Sequence, residues 1–170
     1  MTVRENAATA GKLRGAAELI AWINRAIRVI AHPTLTQLVL RVALAVPFWR
    51  SGILKWDGFL QLNDIAVLLF TSEFKLHLPG GPYPFPAPTA VAFLAGSAEI
   101  ILPILLVLGL GTRIAATGLL VMTLVVQLTE PSGWPIHITW AAMALAIMAW
   151  GPERISLDHL ISRRVSELAR

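Results

Sequence analysis

Residues 88–110, PTAVAFLAGSAEIILPILLVLGL, decide the fold class of this chain. The stretch is long enough to cross a bilayer, because about 20 predominantly apolar residues span a hydrocarbon core of about 30 Å. Its only charged residue is Glu99, near the middle. A carboxylate at mid-membrane costs at least ~2.5 kcal/mol on insertion scales, so we expect it to face protein or water and to have a partner. Glu99 is therefore predicted either to tie helices together or to serve as a ligand or proton site.

The composition of the whole chain is that of an integral membrane protein. Of its 170 residues, 56% are hydrophobic and only 14% are charged, whereas soluble domains carry about 25% charged residues. The basic residues flank apolar segments instead of forming a patch, which argues against a nucleic-acid partner. The sequence contains no cysteine, which excludes disulfides and thiolate chemistry. Its histidines form no ligand pattern, so no metal site is predicted.

Hydropathy predicts an all-α fold, a polytopic membrane four-helix bundle over residues 35–150. The predicted spans are about 35–55, 88–110, 113–129 and 135–150. The connection 56–87 contains only a short apolar run, which predicts a brief interfacial or re-entrant helix. Its later glycines and prolines predict an extended path. We therefore expect a partly structured outer loop, and a tight turn at residues 109–113 with Thr112 as a candidate N-cap.

The two ends of the chain predict its orientation. Residues 1–34 contain an isoleucine-rich periodic pattern over 12–30, typical of a basic amphipathic helix on a membrane surface or packed on a partner protein. Residues 151–170 form a charged, amphipathic tail, with Asp158 and His159 expected on a solvated face. Five Lys or Arg residues lie in 1–34 and four in the tail, whereas the long outer connection beyond Lys55 holds only Lys75. The positive-inside rule then places both termini in the cytoplasm.

Two arginines of the first span are candidate partners of Glu99. Arg41 shares a helical face with Gly52 and Lys55, whereas Arg50 lies nearly opposite. By helical rise Arg41 lies about 9 Å and Arg50 about 22 Å from the cytoplasmic boundary, on either side of Glu99 at roughly 16–17 Å. We favour Arg41, because Gly52 on its face allows close packing. Arg50 then extends to the outer interface.

Further polar side chains are predicted to converge at the outer end of the bundle. They are Lys55, Gln127, Trp134 and His137. A cleft with convergent polar groups above a buried carboxylate is typical of a small-molecule site. For a quinone, His137 or Lys55 would hydrogen-bond a carbonyl oxygen, Trp134 would stack on the ring, and Glu99 would exchange a proton. The structural alternative is that His137 and Trp134 only anchor the helices at the interface.

Several motifs resemble those of the DoxX family. The run FWRSGILK at residues 48–55 is similar to the family signature F-x-x-[SA]-G-x-x-K. Ala98-Glu99 in mid-span, LLVLGLGTR at 105–113, WPIH at 134–137 and GPERISLD at 151–158 are similar as well. The residues that match the pattern are Arg41, Gly52, Lys55, Glu99, Gly109 and Arg113.

The resemblance implies a bacterial inner-membrane protein with four helices. Some relatives are membrane subunits linked to thiosulfate:quinone oxidoreductase, and many have no assigned activity. Three functions follow as hypotheses: a membrane subunit that links a soluble oxidoreductase to the quinone pool, a non-catalytic anchor or assembly protein, or a small-solute or proton transporter. In the first, chemistry would fall to Glu99, Arg41 and His137. A homo-oligomer is also compatible with the small-residue helix faces.

Overall fold

α4 (Pro88–Leu108) contains the central apolar stretch and is bounded by residues that set its ends. Pro88 occupies the first turn, where its missing N–H costs nothing. Gly109 follows the helix with φ 69°, the left-handed conformation that glycine adopts most easily. Its N–H donates to the carbonyl of Leu106, and the N–H of Leu110 donates to the carbonyl of Leu105. This is a Schellman motif, and it turns the chain into the next helix.

The computed structural model describes residues 3–168, with side chains from residue 13 to residue 168. Over this range most of the chain is helical. The other helices are α1 (Val3–Ile30), α2 (Pro33–Ile53), α3 (Asp64–Leu68), α5 (Thr112–Thr129), α6 (Trp134–Trp150) and α7 (Leu157–Leu168). A π-helical turn, Leu69–Glu73, continues α3, and a 3-10 turn, Pro131–Gly133, precedes α6.

Three of the described helices are long and apolar enough to cross a membrane. They are Pro88–Leu108, Thr112–Thr129 and Pro131–Trp150. A fourth candidate is obtained when residues 13–30 and 33–53 count as one broken span. α2 alone is less apolar because it carries Arg41 and Arg50. The chain is thus an all-α membrane protein with three or four candidate spans.

The chain divides into two units, residues 1–36 and 37–170. The first consists largely of α1, which begins nine residues before the predicted start at Lys12. The side chains of Ile20, Ile23 and Ile27 are exposed. Whether this face meets lipid or a partner protein stays a prediction.

The second unit has a core of aliphatic and small side chains. α5 contacts both α4 and α6. Fully buried positions in this core include Leu44, Leu106, Leu119 and Ile147. Alanines at positions 115, 116 and 144 are also buried there, and such small residues let helix backbones approach closely.

Residues 56–87 are more ordered than the sequence predicted. β1 (Trp56–Gly58) pairs with β2 (Gln61–Leu62), and β3 (Lys75–Leu78) pairs with β4 (Gly81–Pro84), both antiparallel. The predicted short helix corresponds to α3 with its π-helical turn. The proline-rich path, which the sequence predicted only as extended, is one strand of a hairpin. Phe70 and Phe85, both from residues 56–87, pack with Ala92 of α4 in a second apolar cluster.

Candidate ligand-binding site

Glu99 forms an ion pair with Lys55. The Nζ atom of Lys55 lies 2.5 Å from Oε2 of Glu99 and donates a second hydrogen bond, 2.8 Å long, to the Ser51 hydroxyl. Both side chains are largely buried, with 13% of the Lys55 side chain and 7% of the Glu99 side chain exposed. Glu99 thus has the basic partner that its mid-span position predicted.

The backbone of α2 approaches Glu99 closely at Gly52. A Cβ atom at position 52 would lie 3.0 Å from the backbone carbonyl carbon and oxygen of Glu99, tighter than ordinary packing. Lys55 lies in the turn that follows α2. Its four-carbon side chain reaches back to Ser51, four residues earlier, and to Glu99.

The prediction that Arg41 pairs with Glu99 is wrong. Arg41 is fully buried, but its Nη2 atom donates to the carbonyl oxygen of Ile155 at 2.5 Å. Its guanidinium also lies against Gly109, so close that a side chain at that position would strike it. The helical face predicted to hold Arg41, Gly52 and Lys55 does contain the partner of Glu99, but that partner is Lys55. Arg50 is exposed and is not the partner either.

Arg41 belongs instead to a contact between the α4–α5 turn and the tail, which we call the turn–tail clamp: Arg41, Gly109, Gly111, Thr112 and Asp158. The Asp158 carboxylate accepts hydrogen bonds from the N–H of Gly111 (2.7 Å) and from the N–H (2.9 Å) and hydroxyl (2.8 Å) of Thr112. Its own N–H donates to the carbonyl oxygen of Gly109 at 2.9 Å. The expectations that Asp158 is solvated and that Thr112 caps α5 are therefore both wrong, because Asp158 caps α5 from the tail.

The clamp changes the acidity of Asp158. Partial burial would raise the pKa of this carboxyl, but the hydrogen bonds from Thr112 and Gly111, together with the positive charge of Arg41, outweigh it and lower the pKa below its ordinary value. The α5 N-terminus also favours a negative charge, because its free N–H groups carry partial positive charge.

A cavity of about 540 Å³ opens beside the Lys55–Glu99 pair. Its walls come from α4, over residues 91–99, and from α5, over residues 121–130. Lys55, Ser51 and Glu99 supply polar groups within a lining that is otherwise mostly apolar. This volume lies within the range of about 300–1,000 Å³ found for small-molecule sites.

The connection between α2 and α4, residues 56–87, covers one side of the cavity with aromatic rings. Phe70, Phe74 and Phe85 all line it. Phe70 contacts Phe74 edge-on, with ring centroids 5.2 Å apart, and lies 5.5 Å from Phe85. Phe70 belongs to the π-helical turn, a rare conformation that is frequent at functional sites. From the sequence, Phe85 was predicted to belong to an aromatic belt at the outer surface, and no binding role was predicted for Phe70 or Phe74.

The predicted outer mouth is split into separate clusters. His137 is buried, and its Nδ1 atom lies 2.8 Å from the Gln127 side-chain oxygen. Its ring packs on Trp140, which packs on Phe48 of the core. None of these residues lines the cavity beside Glu99. Trp134 is 55% exposed. The structure pairs Lys55 with Glu99 and Gln127 with His137. It does not bring Lys55, Gln127, Trp134 and His137 together in one mouth.

Known proteins support the resemblance to one family. The DoxX family model matches residues 36–131, more than half of the chain. A Haemophilus influenzae protein described as uncharacterized is 28% identical over 141 residues, covering 74% of this chain and 83% of that protein. No solved structure matches the chain. The matched segment contains the signature at residues 48–55, Glu99 and the α4–α5 turn, and the chain belongs to the DoxX family.

Proposed function

We propose that this chain is an inner-membrane subunit of a quinone-linked oxidoreductase complex, and that the cavity beside Lys55 and Glu99 binds the quinone. The proposal includes four membrane crossings, by α2, α4, α5 and α6, with both termini in the cytoplasm. That orientation is supported by the excess of Lys and Arg in residues 1–34 and in the tail. It places Lys55, at the end of α2, toward the outer face.

The observation that carries the proposal is a largely apolar cavity with one balanced ion pair in its wall. A quinone has an apolar ring and tail with two neutral carbonyl acceptors. The ring fits against Phe70, Phe74 and Phe85, and a carbonyl oxygen fits against the ammonium of Lys55 or the hydroxyl of Ser51. An anionic ligand would add uncompensated charge to a pair that is already neutral, and a buried uncompensated charge is costly. A neutral, hydrogen-bonding head group is therefore favoured.

The ion pair gives the chain a role in proton transfer. Reduction of a quinone to its quinol adds two electrons and two protons, which convert two C=O groups to C–O–H groups. In this proposal the electrons come from the redox centre of a partner oxidoreductase subunit. The protons pass one at a time through Lys55 and Glu99 to the quinone oxygen and are replaced from water at the exposed end of the cavity, beside Glu130. A carboxyl group positioned for such transfer contributes about 10²–10⁴-fold to rate.

Quinone binding by the full chain tests the proposal directly. The chain is purified into lipid nanodiscs and titrated with a short-tailed quinone, and its unfolding temperature is measured. Ala98→Phe adds a ring to the cavity wall without changing the ion pair, so it should abolish the shift produced by the quinone. Ala90→Phe, at an exposed position of the same helix, is the matched control and should keep it. No saturable shift in the unsubstituted chain would refute quinone binding.

The assembled complex separates this function from an anchor or a transporter. Glu99→Gln should lower quinone-linked turnover about 100-fold, if the carboxyl transfers protons, while co-purification with the partner stays unchanged. An anchor would keep full turnover with this substitution. A transporter would carry protons or solutes across liposomes containing this chain alone, which the proposal does not expect.

A further inference from the structure

We propose that α7 lies in the surface of the lipid bilayer, at the end of the membrane where α5 begins, with its apolar face buried among lipid chains. The sequence predicted a charged, amphipathic tail in the cytoplasm, with no position relative to the bilayer. The inference depends on the position of α7 relative to α5, on its three faces and on its charges, and it is independent of quinone binding.

The turn–tail clamp fixes α7 at the level of the first turn of α5. Asp158, the second residue of α7, binds the N–H groups of Gly111 and Thr112. His159 and Ser162 line an open groove with Arg113 and Ile114. Because α5 is a candidate membrane span, its first turn lies at the membrane boundary, and the start of α7 lies there with it.

α7 has three distinct faces. At about 100° per residue, Asp158, Ser162 and His159 form the face turned to α5. Arg163 and Glu167 lie roughly 120° farther round. The remaining face is mostly apolar, with Leu157, Leu160, Ile161, Val165 and Leu168, and it also includes Arg164.

The apolar face has no covering within the described chain. Leu160, Ile161 and Val165 are each 51–60% exposed, and Leu168 is 88% exposed. A helix beside a membrane protein, at the boundary, meets protein on one side, lipid on a second and water on the third. The three faces of α7 match these three environments, which is the pattern of an interfacial helix.

The surface that flanks α7 is lipid-facing as well. Ile114, two residues into α5 and part of the same groove, is 79% exposed. Trp150, the last residue of α6, is 65% exposed, and exposed tryptophans at helix ends are typical of the membrane interface. The apolar face of α7 thus continues the surface that the spans present to lipid.

The charges of the tail indicate which force holds α7 in place. Over residues 151–170 the tail has four arginines and three acidic residues, so its net charge is only +1. Burial of apolar surface, and not attraction to anionic lipid, is therefore the main contribution. Arg164 lies within the apolar face, between Leu160 and Leu157, and its long stem can extend to the phosphate level.

Fluorescent probes on two faces of α7 test this placement. Because the natural sequence contains no cysteine, Ile161→Cys on the apolar face and Ser166→Cys on an exposed polar position each give one labelling site in the full chain. Each variant carries a polarity-sensitive dye in phosphatidylcholine nanodiscs containing nitroxide-labelled acyl chains. The dye at 161 should be quenched several-fold more than the dye at 166, as expected for a face buried in the acyl boundary. Val165→Cys provides a second apolar position in case Ile161→Cys does not fold.

The result that overturns the proposal is equal exposure to water at positions 161, 165 and 166 in a folded chain. In that case the apolar face is reserved for a protein partner. A second arm replaces phosphatidylcholine with anionic phosphatidylglycerol. Little change in quenching at 161 supports apolar burial, whereas quenching that appears only with anionic lipid overturns it.

Discussion

The two buried charged sites of α2 lie roughly 20 Å apart along the helix axis and differ in what surrounds them. Arg41 is enclosed by protein, with the Ile155 carbonyl and the α4–α5 turn against its guanidinium. Lys55 is enclosed on one side by Ser51 and Glu99 and faces a cavity on the other. The first site holds helices and tail together. The second leaves polar groups accessible to a ligand, so burial of a charge in this fold does not by itself identify a functional residue.

The largest expected effect comes from breaking the Lys55–Glu99 pair. Lys55→Met leaves the Glu99 carboxylate buried without its cation and should lower the free energy of unfolding by about 3–5 kcal/mol. Denaturant unfolding in detergent micelles measures the change. Lys55→Met combined with Glu99→Leu removes both charges and should recover most of the loss. If Lys55→Met does not change the free energy of unfolding, Glu99 does not depend on Lys55 as a buried counter-ion. The Lys55 site then no longer differs from the Arg41 site in the way described above.

Next in size is the steric contact at the turn–tail clamp. Gly109→Ala places a methyl group against Arg41 and Ser156 and strains a left-handed residue, for a combined cost of about 2–4 kcal/mol. Gly111→Ala is the matched control. Its φ of 57° is also left-handed, but no atom lies within 4 Å of the added carbon, so only about 1–2 kcal/mol of strain is expected. If Gly109→Ala and Gly111→Ala lower the free energy of unfolding equally, the guanidinium of Arg41 is not in close contact with Gly109.

The clamp should also make stability depend on pH. Because the pKa of Asp158 is lowered in the folded chain, the stabilisation is complete above the ordinary pKa of an aspartate. It is lost as the pH falls through the lowered value. Asp158→Asn should remove this part of the pH dependence, and Asp158→Ala should cost about 0.5–2 kcal/mol at neutral pH, the usual effect of losing a helix cap. The free energy of unfolding is measured from pH 7 downward for the unsubstituted chain and for both variants. If the unsubstituted chain and Asp158→Asn lose stability equally as the pH falls, the lowered pKa of Asp158 is contradicted.

The smallest effect is expected at Arg50. This residue is exposed and lies on the helix between the two sites, so Arg50→Gln should change the free energy of unfolding by no more than about 0.5 kcal/mol. The same unfolding assay applies. A loss comparable to that of Lys55→Met would show that Arg50 has a partner in the assembled protein.

The helices were predictable because their ends are encoded locally. Pro88 and Gly109 bound α4 in both the sequence and the structure, and the hydrophobic runs between such residues identified the other long apolar helices. The need of Glu99 for a partner was also predictable, since a lone carboxylate in an apolar segment requires one.

The identity of that partner was not predicted. Only Arg41 and Arg50 were compared as partners, whereas the flexible four-carbon side chain of Lys55 reaches Ser51 and Glu99. The clamp was missed for a different reason: Asp158 contacts residues 46 and 47 positions away, and no periodicity links a tail to a turn. His137 lies in the first turn of α6, and its packing on Trp140 depends on tertiary contacts that the sequence pattern does not show.

The hydrogen bonds between Asp158 and the α4–α5 turn have an evolutionary consequence. The two segments involved, LGLGTR and SLD, lie about 45 residues apart in the sequence. The first supplies the hydrogen-bond donors, from Gly111 and Thr112, and the second supplies the acceptor, the Asp158 carboxylate. A substitution on one side of this junction therefore leaves the hydrogen-bonding groups on the other side without their partner. Homologues without this aspartate should also lack the glycine and threonine of the α4–α5 turn. A chimera that exchanges only the turn or only the tail should fold poorly.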